Sequence, residues 1–489
     1  MSARAGWNLL ESLAAGSCSA LDAVEAASLR TRALEPRLHA FLSTAFDGAE
    51  ERAKQLDARP ARGPLHGLPF AVKANLCWEG AETNAASRVL AGYRPPYSAT
   101  TVQRALDAGA VALGVANMDE FGFGSSGENS AYGATRNPWD PTRAPGGSSS
   151  GAAAAVAAGS VAFALGSDTG GSVRQPAALC GVSGFKPSYG RLSRFGLIAF
   201  ASSLDCVGVL APSVEELELV MSVLSGVDER DSTSSTLAPF APERRDDLRG
   251  VRVGAPREHF EGGVDPRVAE CVRAALRECE RLGASVREVE LPHTRSAIAT
   301  YYVIASAEAS SNLARYDGVR YGTRASGDGS LQGMIEATRA HGFGPETRRR
   351  VALGSFVLSS GYYEAWYVHA LKVRRLIAND FERAFEHVDV LVGPTSPTLA
   401  FRLGERAADP LAMYASDALT VPASLAGLPA LSTPCGLVRD GDVDLPVGLQ
   451  WIGPLGADER VLSLAGAWQR ATAHHRTHPP LADLAEAAR

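Results

Sequence analysis

The sequence predicts an α/β fold: a large β-sheet covered by helices on both faces. Three observations point there. Short apolar runs alternate along the chain with stretches of helical period, the pattern of strands and helices in turn. The run Ala110-Val111-Ala112-Leu113-Gly114-Val115-Ala116 is apolar at every position, so its strand has no solvent face and is covered on both sides. Residues 152–158 are nearly all alanine and valine, a helix whose small side chains let it pack closely on a sheet.

The elements follow in order. A helix is expected over 19–34, with Ser19 as cap, Asp22 in the first turn, Leu21 and Val24 on one face, and Pro36 as its end. A second helix, over about 45–57, is polar on most sides and completes an N-terminal helical segment of about residues 1–60. Phe70, Ala71 and Val72 end an apolar run at Lys73, which suits a buried strand. Ser98 starts another helix, with Val102 and Leu106 one turn apart and Gly109 as the stop. Beyond the strand at 110–116 lies a loop over 117–147, rich in Gly, Asn and Pro. Loops of that length inside a compact protein are usually functional. After the 152–158 helix a strand is expected at 161–165. The polar stretch 226–249 is the best candidate for an internal boundary. A strand (251–253), a helix (about 266–283), a strand (286–291), several helices to about 386 and late strands at 388–392 and 447–452 complete the chain. No internal repeat is present, and residues 1–489 read as a single domain.

Bulk properties narrow the function. A chain of 489 residues can bury one large core or two ordinary ones. Its 45% apolar and 21% charged content is ordinary for a soluble globular protein. A net charge of −6 argues against this chain gripping phosphate backbones by itself, so any nucleic acid is expected on another subunit. The seven cysteines are scattered and never spaced C-x-x-C, as for reduced thiols in a cytosolic protein. The ten histidines form no H-x-x-x-H or H-E-x-x-H pattern, so no metal site is expected. No apolar h-region follows Arg4, and the longest uncharged stretch, 144–167, is dense in Gly and Ser. A cytoplasmic chain without a membrane span is therefore expected.

Three polar residues sit where chemistry is expected. Lys73 ends its apolar segment, Ser148 follows Gly146-Gly147, and Ser172 follows Asp168-Thr169-Gly170-Gly171. A neutral lysine and two serines behind glycine pairs suggest a serine nucleophile for acyl transfer. Desolvation of Lys73 by its apolar approach would lower its pKa and let it act as a base. The backbone N–H groups of Thr169, Gly170, Gly171 and Ser172 are well placed in sequence to form an oxyanion hole.

Four other patterns compete. Gly122-Phe123-Gly124-Ser125-Ser126-Gly127 spells G-x-G-x-x-G, but Asn117, Asp119 and Glu120 separate it from the preceding strand, and loop continues after it. Gly147 to Gly151 spells G-x-S-x-G around Ser149, but that elbow needs a catalytic histidine, and His369 and His387 lie in helical contexts. Ser183-Gly184-Phe185-Lys186 spells S-x-x-K without a following S-D-N or K-T-G. A phosphate cradle at 146–151 would require G-K-[ST], which is absent.

The segment from Gly146-Gly147-Ser148-Ser149 through Gly166-Ser167-Asp168-Thr169-Gly170-Gly171-Ser172-Val173-Arg174-Gln175-Pro176-Ala177 strongly resembles the amidase signature. The resemblance implies that family's fold, a large mixed β-sheet with helices on both faces. It also implies a Lys–cis-Ser–Ser triad at Lys73, Ser148 and Ser172, with intervals of 75 and 24 residues that fit the family pattern. Within the family the likeness is closer still to the A subunits of glutamyl-tRNA(Gln)/aspartyl-tRNA(Asn) amidotransferases. It is carried by Glu128-Asn129-Ser130-Ala131-Tyr132-Gly133, Tyr189 to Leu197, Asp317 to Gly322 and Leu358 to Tyr363, and covers nearly the whole chain.

That likeness implies hydrolysis of glutamine through an acyl-serine. Arg350 would pair with the α-carboxylate, Asp417 with the α-ammonium, and Tyr301 would line the pocket. The ammonia would pass to a partner B subunit, which uses ATP and Mg²⁺ to activate misacylated tRNA, with a small C subunit joining the two. This chain itself would need no cofactor. The alternatives are a stand-alone amidase acting on small amides and an idle scaffold protein. Three positions depart from the family pattern: Ser150 replaces the usual Gly, Ala152 the usual Ser, and Ala74 a common Asp. Ser150 is expected to narrow the loop and affect rate.

Overall fold

Among the residues described by the computed structural model, 9–58 and 63–482, eleven strands form one mixed sheet. They are β1 (Phe41–Thr44), β2 (Pro69–Lys73), β3 (Val111–Ala116), β4 (Phe163–Asp168), β5 (Ser183–Lys186) and β6 (Cys206–Ala211). The remainder are β7 (Arg252–Pro256), β8 (Ser285–Val289), β9 (Val390–Pro394), β10 (Ala430–Asp440) and β11 (Val443–Ile452). Their order is β1-β3-β2-β4-β6-β5-β10-β11-β9-β7-β8. The β3-β2-β4 group is parallel, as is β9-β7-β8, and antiparallel pairs link the two groups.

Strand periodicity explains how the sheet is covered. Along β2, Phe70 and Val72 enter one apolar core while Ala71 enters another, because successive side chains point to opposite faces. The first core is built of large groups. Phe70 stacks on Phe163 with centroids 5.0 Å apart, and Trp451 meets Trp468 of the helix Asp458–Thr472. The second core holds the alanines of the helix Ser150–Ala157, all buried against Ala71, Val111, Leu113 and Ala164. Small side chains there bring the helix backbone close to the sheet: a Cβ on Gly151 would lie 2.1 Å from Ala40 O and 2.6 Å from Asn117 N. Lys73 follows Ala71 by two residues, so strand alternation sends it toward this helix and not into the aromatic core.

Several expectations are corrected in detail. The first long helix runs Ala20–Leu38, through Pro36. Leu34 and Leu38 are both buried, and the Glu35 carboxylate accepts the N–H groups of Ala40 and Phe41, so burial and capping carry the last turn past the proline. Ser19 caps that helix with Asp22 in a reciprocal box, as expected. Ser98 is not a cap: the helix is Thr100–Asp107, and the Ser98 hydroxyl accepts Glu79 N–H instead.

β4 continues three residues beyond its expected end, through Gly166, Ser167 and Asp168, all buried. β1, β5, β6 and β10 were not anticipated. β10 carries Pro434 and Gly436, residues unfavourable inside a regular strand, at a bulge where the register to β11 shifts. The N-terminal segment contains the edge strand β1 as well as helices, and its residues 1–8 and 59–62 lie outside the described residues. The stretch 226–249 forms neither helix nor strand; it buries Phe240 and Leu248 in the large core, and the same sheet resumes beyond it at β7. No helix among the described residues is long and apolar enough to cross a membrane.

Candidate active site

Lys73 ends β2, between its neighbours β3 and β4, and has no solvent exposure. Its Nζ lies 2.8 Å from Ser148 Oγ, 2.8 Å from Ser149 Oγ and 2.9 Å from Ser167 Oγ, with Ser167 O at 3.2 Å. Every partner is a hydroxyl or a carbonyl. Among the described residues, no carboxylate stands at ion-pair distance from it. Burial drives its pKa down from 10.5 to about 7, against the pull of the more distant Asp119, Asp168 and Asp205 carboxylates. That change corresponds to roughly 5 kcal/mol in favour of the neutral amine. A substantial share of the amine is thus neutral at neutral pH, in contact with serine hydroxyls.

The loop holding Ser148 has no room for side chains before it. A Cβ on Gly146 would lie 2.4 Å from Gln175 Oε1, and one on Gly147 would lie 2.0 Å from Asp119 Oδ2. Gln175 Oε1 accepts Gly147 N–H, and the Asp119 N–H donates to Ser148 O. The Gly147–Ser148 peptide bond is cis. Asp119 is itself buried, accepts the N–H groups of Gly127 and Asn129, and has its pKa pushed up to about 6 by desolvation.

Ser172 occupies the turn between β4 and the helix Arg174–Cys180. It is partly exposed, whereas Lys73, Ser148 and Ser149 are buried. The Ser149 N–H donates to Ser172 O at 3.0 Å, which joins the two serine loops by their backbones. Asp168 anchors the start of the turn through Arg174, bonded to both carboxylate oxygens with neither side chain exposed. Thr169 Oγ1 donates to Asp205, and Gly170 O accepts from Thr420 Oγ1 at 2.7 Å. Gly171 has φ +142, and a Cβ there would lie 2.1 Å from Thr420 Oγ1, so only glycine fits. With the carbonyls held this way, the N–H groups of Gly170, Gly171 and Ser172 donate to no protein acceptor among the described residues. They remain available to a developing oxyanion.

Beside this turn lies a charged, aromatic cluster. A Cβ on Gly170 would touch the Tyr301 ring and hydroxyl at 2.8 Å, so Tyr301 packs directly on the turn. Tyr301 meets Tyr302 edge-on, and the Arg350 guanidinium stacks over Tyr302, Tyr414 and Phe123 at 4.7, 5.0 and 5.4 Å. Arg350 comes from the helix Pro345–Val357, and its Nε donates to Glu346 at 2.7 Å. Its Nη1 reaches no protein acceptor among the described residues, which leaves one edge of the fork for a ligand carboxylate. Asp417 is 6% exposed and accepts Ser125 Oγ–H, with no cation at ion-pair distance among the described residues. Burial pushes its carboxyl up to about 7, with Ser125 and the more distant Arg350 holding it down. A ligand ammonium would supply the charge that this carboxylate lacks.

The competing motifs separate cleanly. Ser149, centre of G-x-S-x-G, is enclosed by Lys73 and Ser167 and contacts no histidine. Ser183 and Lys186 stand on β5, three residues apart and so on opposite faces, and Lys186 Nζ donates to Pro187 O. The G-x-G-x-x-G run lies in the 117–147 loop, where Phe121 and Gly122 have positive φ and Ser125 reaches Asp417. Ser150 donates to Thr135 Oγ1, and its Cβ lies so close to Gly127 that a Cβ there would stand 2.6 Å away. Ala74 packs with Ala86, Val115 and Met118, a setting that would desolvate a carboxylate. Sequence reasoning missed Ser149 and Ser167 as partners of the lysine, and Asp119 and Thr420 as supports. Only the polar text around the glycines, Asn117 to Glu120 and Gly166 to Asp168, hinted at them.

With a buried lysine against Ser148 on a mixed sheet of eleven strands among the described residues, the chain belongs to the amidase family, a class of amide-cleaving enzymes whose model matches residues 22–462. The A subunit of the glutamyl-tRNA(Gln) amidotransferase of Chloroflexus aurantiacus is 52% identical over 475 residues, 96% of each chain. Its counterpart of the same name in Moorella thermoacetica is 54% identical over 458 residues, 92% of this chain and 93% of its own. The crystal structure of the Thermotoga maritima glutamyl-tRNA(Gln) amidotransferase A subunit superposes with a TM-score of 0.78 at 42% identity, covering 93% of this chain and 92% of that one. The peptide amidase of Stenotrophomonas maltophilia superposes with a TM-score of 0.80 at 31% identity, covering 96% and 97%.

Proposed function

We propose that this enzyme is the glutamine-hydrolysing A subunit of a tRNA-dependent amidotransferase. The observation that carries the chemistry is a fully buried Lys73 whose nitrogen touches only hydroxyl and carbonyl groups and whose pKa burial brings down to about 7. The near-full-length identity to amidotransferase A subunits favours this reading over a stand-alone amidase.

The glutamine α-carboxylate pairs with the free edge of Arg350 and its α-ammonium with Asp417, while Tyr301 walls the side chain toward the 169–172 turn. Ser172 Oγ attacks the carboxamide carbon as its proton passes to Ser148 Oγ, whose own proton passes to Lys73 Nζ. The oxyanion takes hydrogen bonds from the N–H groups of Thr169, Gly170, Gly171 and Ser172. Collapse breaks the C–N bond, and the proton on Lys73 returns through Ser148 to the leaving nitrogen, giving ammonia and a glutamyl-serine ester. Water then enters by the same relay in reverse and releases glutamate.

In the cytoplasmic complex, ammonia moves to the B subunit, where ATP and Mg²⁺ activate Glu-tRNA(Gln), Asp-tRNA(Asn) or both for amidation. The C subunit holds A and B together, and the tRNA is held mainly by B. No step in this chain requires a cofactor. The assay is ammonia release by the purified chain, alone and with B, C and misacylated tRNA. Weak glutamine hydrolysis that rises with the partners is the expected result. Vigorous turnover of acetamide with no response to the partners would replace this reading with that of a small-amide hydrolase.

A further inference from the structure

Two of the seven cysteines face each other far along the sheet from Lys73. Cys271 lies on the helix Pro266–Arg281 and Cys435 on β10, and their Sγ atoms are 3.9 Å apart. No other two sulfurs are within hydrogen-bonding distance among the described residues, and all seven cysteines are free thiols. The pair meets at the β10 bulge, where the register shifts between Pro434 and Gly436. Gly436 leaves the room: a Cβ there would lie 2.8 Å from Cys271 Sγ. The helix and the strand therefore bring the two sulfurs into direct contact. Rotation of the side chains closes the remaining gap to a bonded sulfur–sulfur distance of about 2 Å.

The two thiols are not equivalent. Cys271 is half-buried and reachable, whereas Cys435 is 4% exposed. The two sulfurs are in hydrogen-bonding contact, in which either can be the donor, and that contact holds Cys271 below and Cys435 above the ordinary thiol range. Solvent access and thiolate character thus coincide on one sulfur, and a second sulfur waits behind it, the arrangement of an attacking and a resolving cysteine.

We propose that Cys271 and Cys435 form a reversible modification site that a peroxide converts to an intramolecular disulfide. The Cys271 thiolate attacks one oxygen of hydrogen peroxide, the O–O bond breaks, and a sulfenic acid and hydroxide form. Cys435 then attacks the sulfenic sulfur, the S–O bond breaks, and water leaves with the Cys435 proton. Overall, two thiols lose two electrons and two protons, and peroxide is reduced to two waters. A dithiol reverses the step. The bond staples a surface helix to a core strand and closes a chain segment of 164 residues, which constrains the unfolded state and stabilises the fold.

The test uses the full chain, reduced, desalted and treated with a small excess of hydrogen peroxide. Titration of thiols in denaturant should fall from seven to five. An unreduced tryptic digest should contain peptides 268–273 and 407–439 joined. The melting temperature should rise by a few degrees and fall back with dithiothreitol. Cys271→Ser should abolish the linked peptide, and Cys435→Ser should accumulate a sulfenic acid on Cys271, trapped by dimedone. Seven thiols persisting, a link from Cys435 to Cys279 on the same helix, or loss of two thiols in Cys271→Ser would each overturn the proposal. Because the readouts are mass, thiol count and melting, they are independent of the glutaminase reading.

Discussion

The lysine–serine cluster and the charged cluster that meets it where Tyr301 packs on Gly170 present opposite electrostatic environments. Around Lys73 the protein supplies hydroxyls, carbonyls and alanine methyls, and keeps the carboxylates at a distance. Around Arg350 and Asp417 it supplies formal charge: Glu346, three aromatic faces and a buried carboxylate without a cation. The first environment makes an amine neutral, and the second is prepared to receive a zwitterion. A base needs low polarity and no counter-ion, because a carboxylate beside Lys73 would keep it protonated. A pocket for an α-amino acid needs the reverse. The two coexist because they are built on different elements: strand ends and the Ser150–Ala157 helix for one, the Pro345–Val357 helix and the 415–417 turn for the other.

The contrast can be broken in stages. The largest effect is expected at the neutral centre. Lys73→Ala or Ser172→Ala should lower kcat for glutamine by at least about a thousandfold with the melting temperature near wild type, and the double variant should be little worse, because the two act as a unit. Single-site losses that multiply in the double variant would show that they do not share one proton path. Next, Asp168→Asn should cost about 3–5 kcal/mol in urea unfolding, since it strands the buried Arg174 charge. Stability close to wild type would mean that Thr420, Gln450 and Ser424 suffice to hold Arg174.

On the charged side, Asp417→Asn should raise the glutamine KM by about 30-fold with a smaller change in kcat. Equal KM values would remove Asp417 from the pocket.

The pH dependence is smaller and involves both regions. Lys73 must be neutral and Asp417 ionised, and both have pKa values of about 7, so each becomes active as pH rises through that value. kcat/KM should climb about tenfold or more between pH 6 and pH 8. In Asp417→Asn the limb should persist in kcat, governed by Lys73 alone, and vanish from KM. The smallest change is expected for Ser167→Ala, which leaves Ser148 and Ser149 on the lysine: a few-fold loss in kcat and a modest shift of the same limb.

Much of this was visible in the chain. Lys73, Ser148 and Ser172 stand out because an apolar run ending in lysine, and serines behind paired glycines, are costly arrangements without a chemical use. The all-apolar strand at 111–116 and the alanine helix announced a sheet covered on both faces. What escaped was set by contacts distant in sequence. β10 was hidden by Pro434 and Gly436, which become a bulge only when β11 is alongside. The helix Ala20–Leu38 runs past Pro36 because Leu38 is buried against the rest of the protein. Ser149 and Ser167 look like spare polar residues until the end of β2 delivers Lys73 between them.

Which residues could do chemistry, and which faces had to be buried, was settled by the order of amino acids alone, because apolar periodicity and glycine placement are local properties. How acidic the lysine is, which of the neighbouring serines is accessible, and which two of seven thiols meet came only from the folded arrangement. Those depend on desolvation and on distances between segments separated by up to 292 residues, as for Ser125 and Asp417, and no local pattern encodes them.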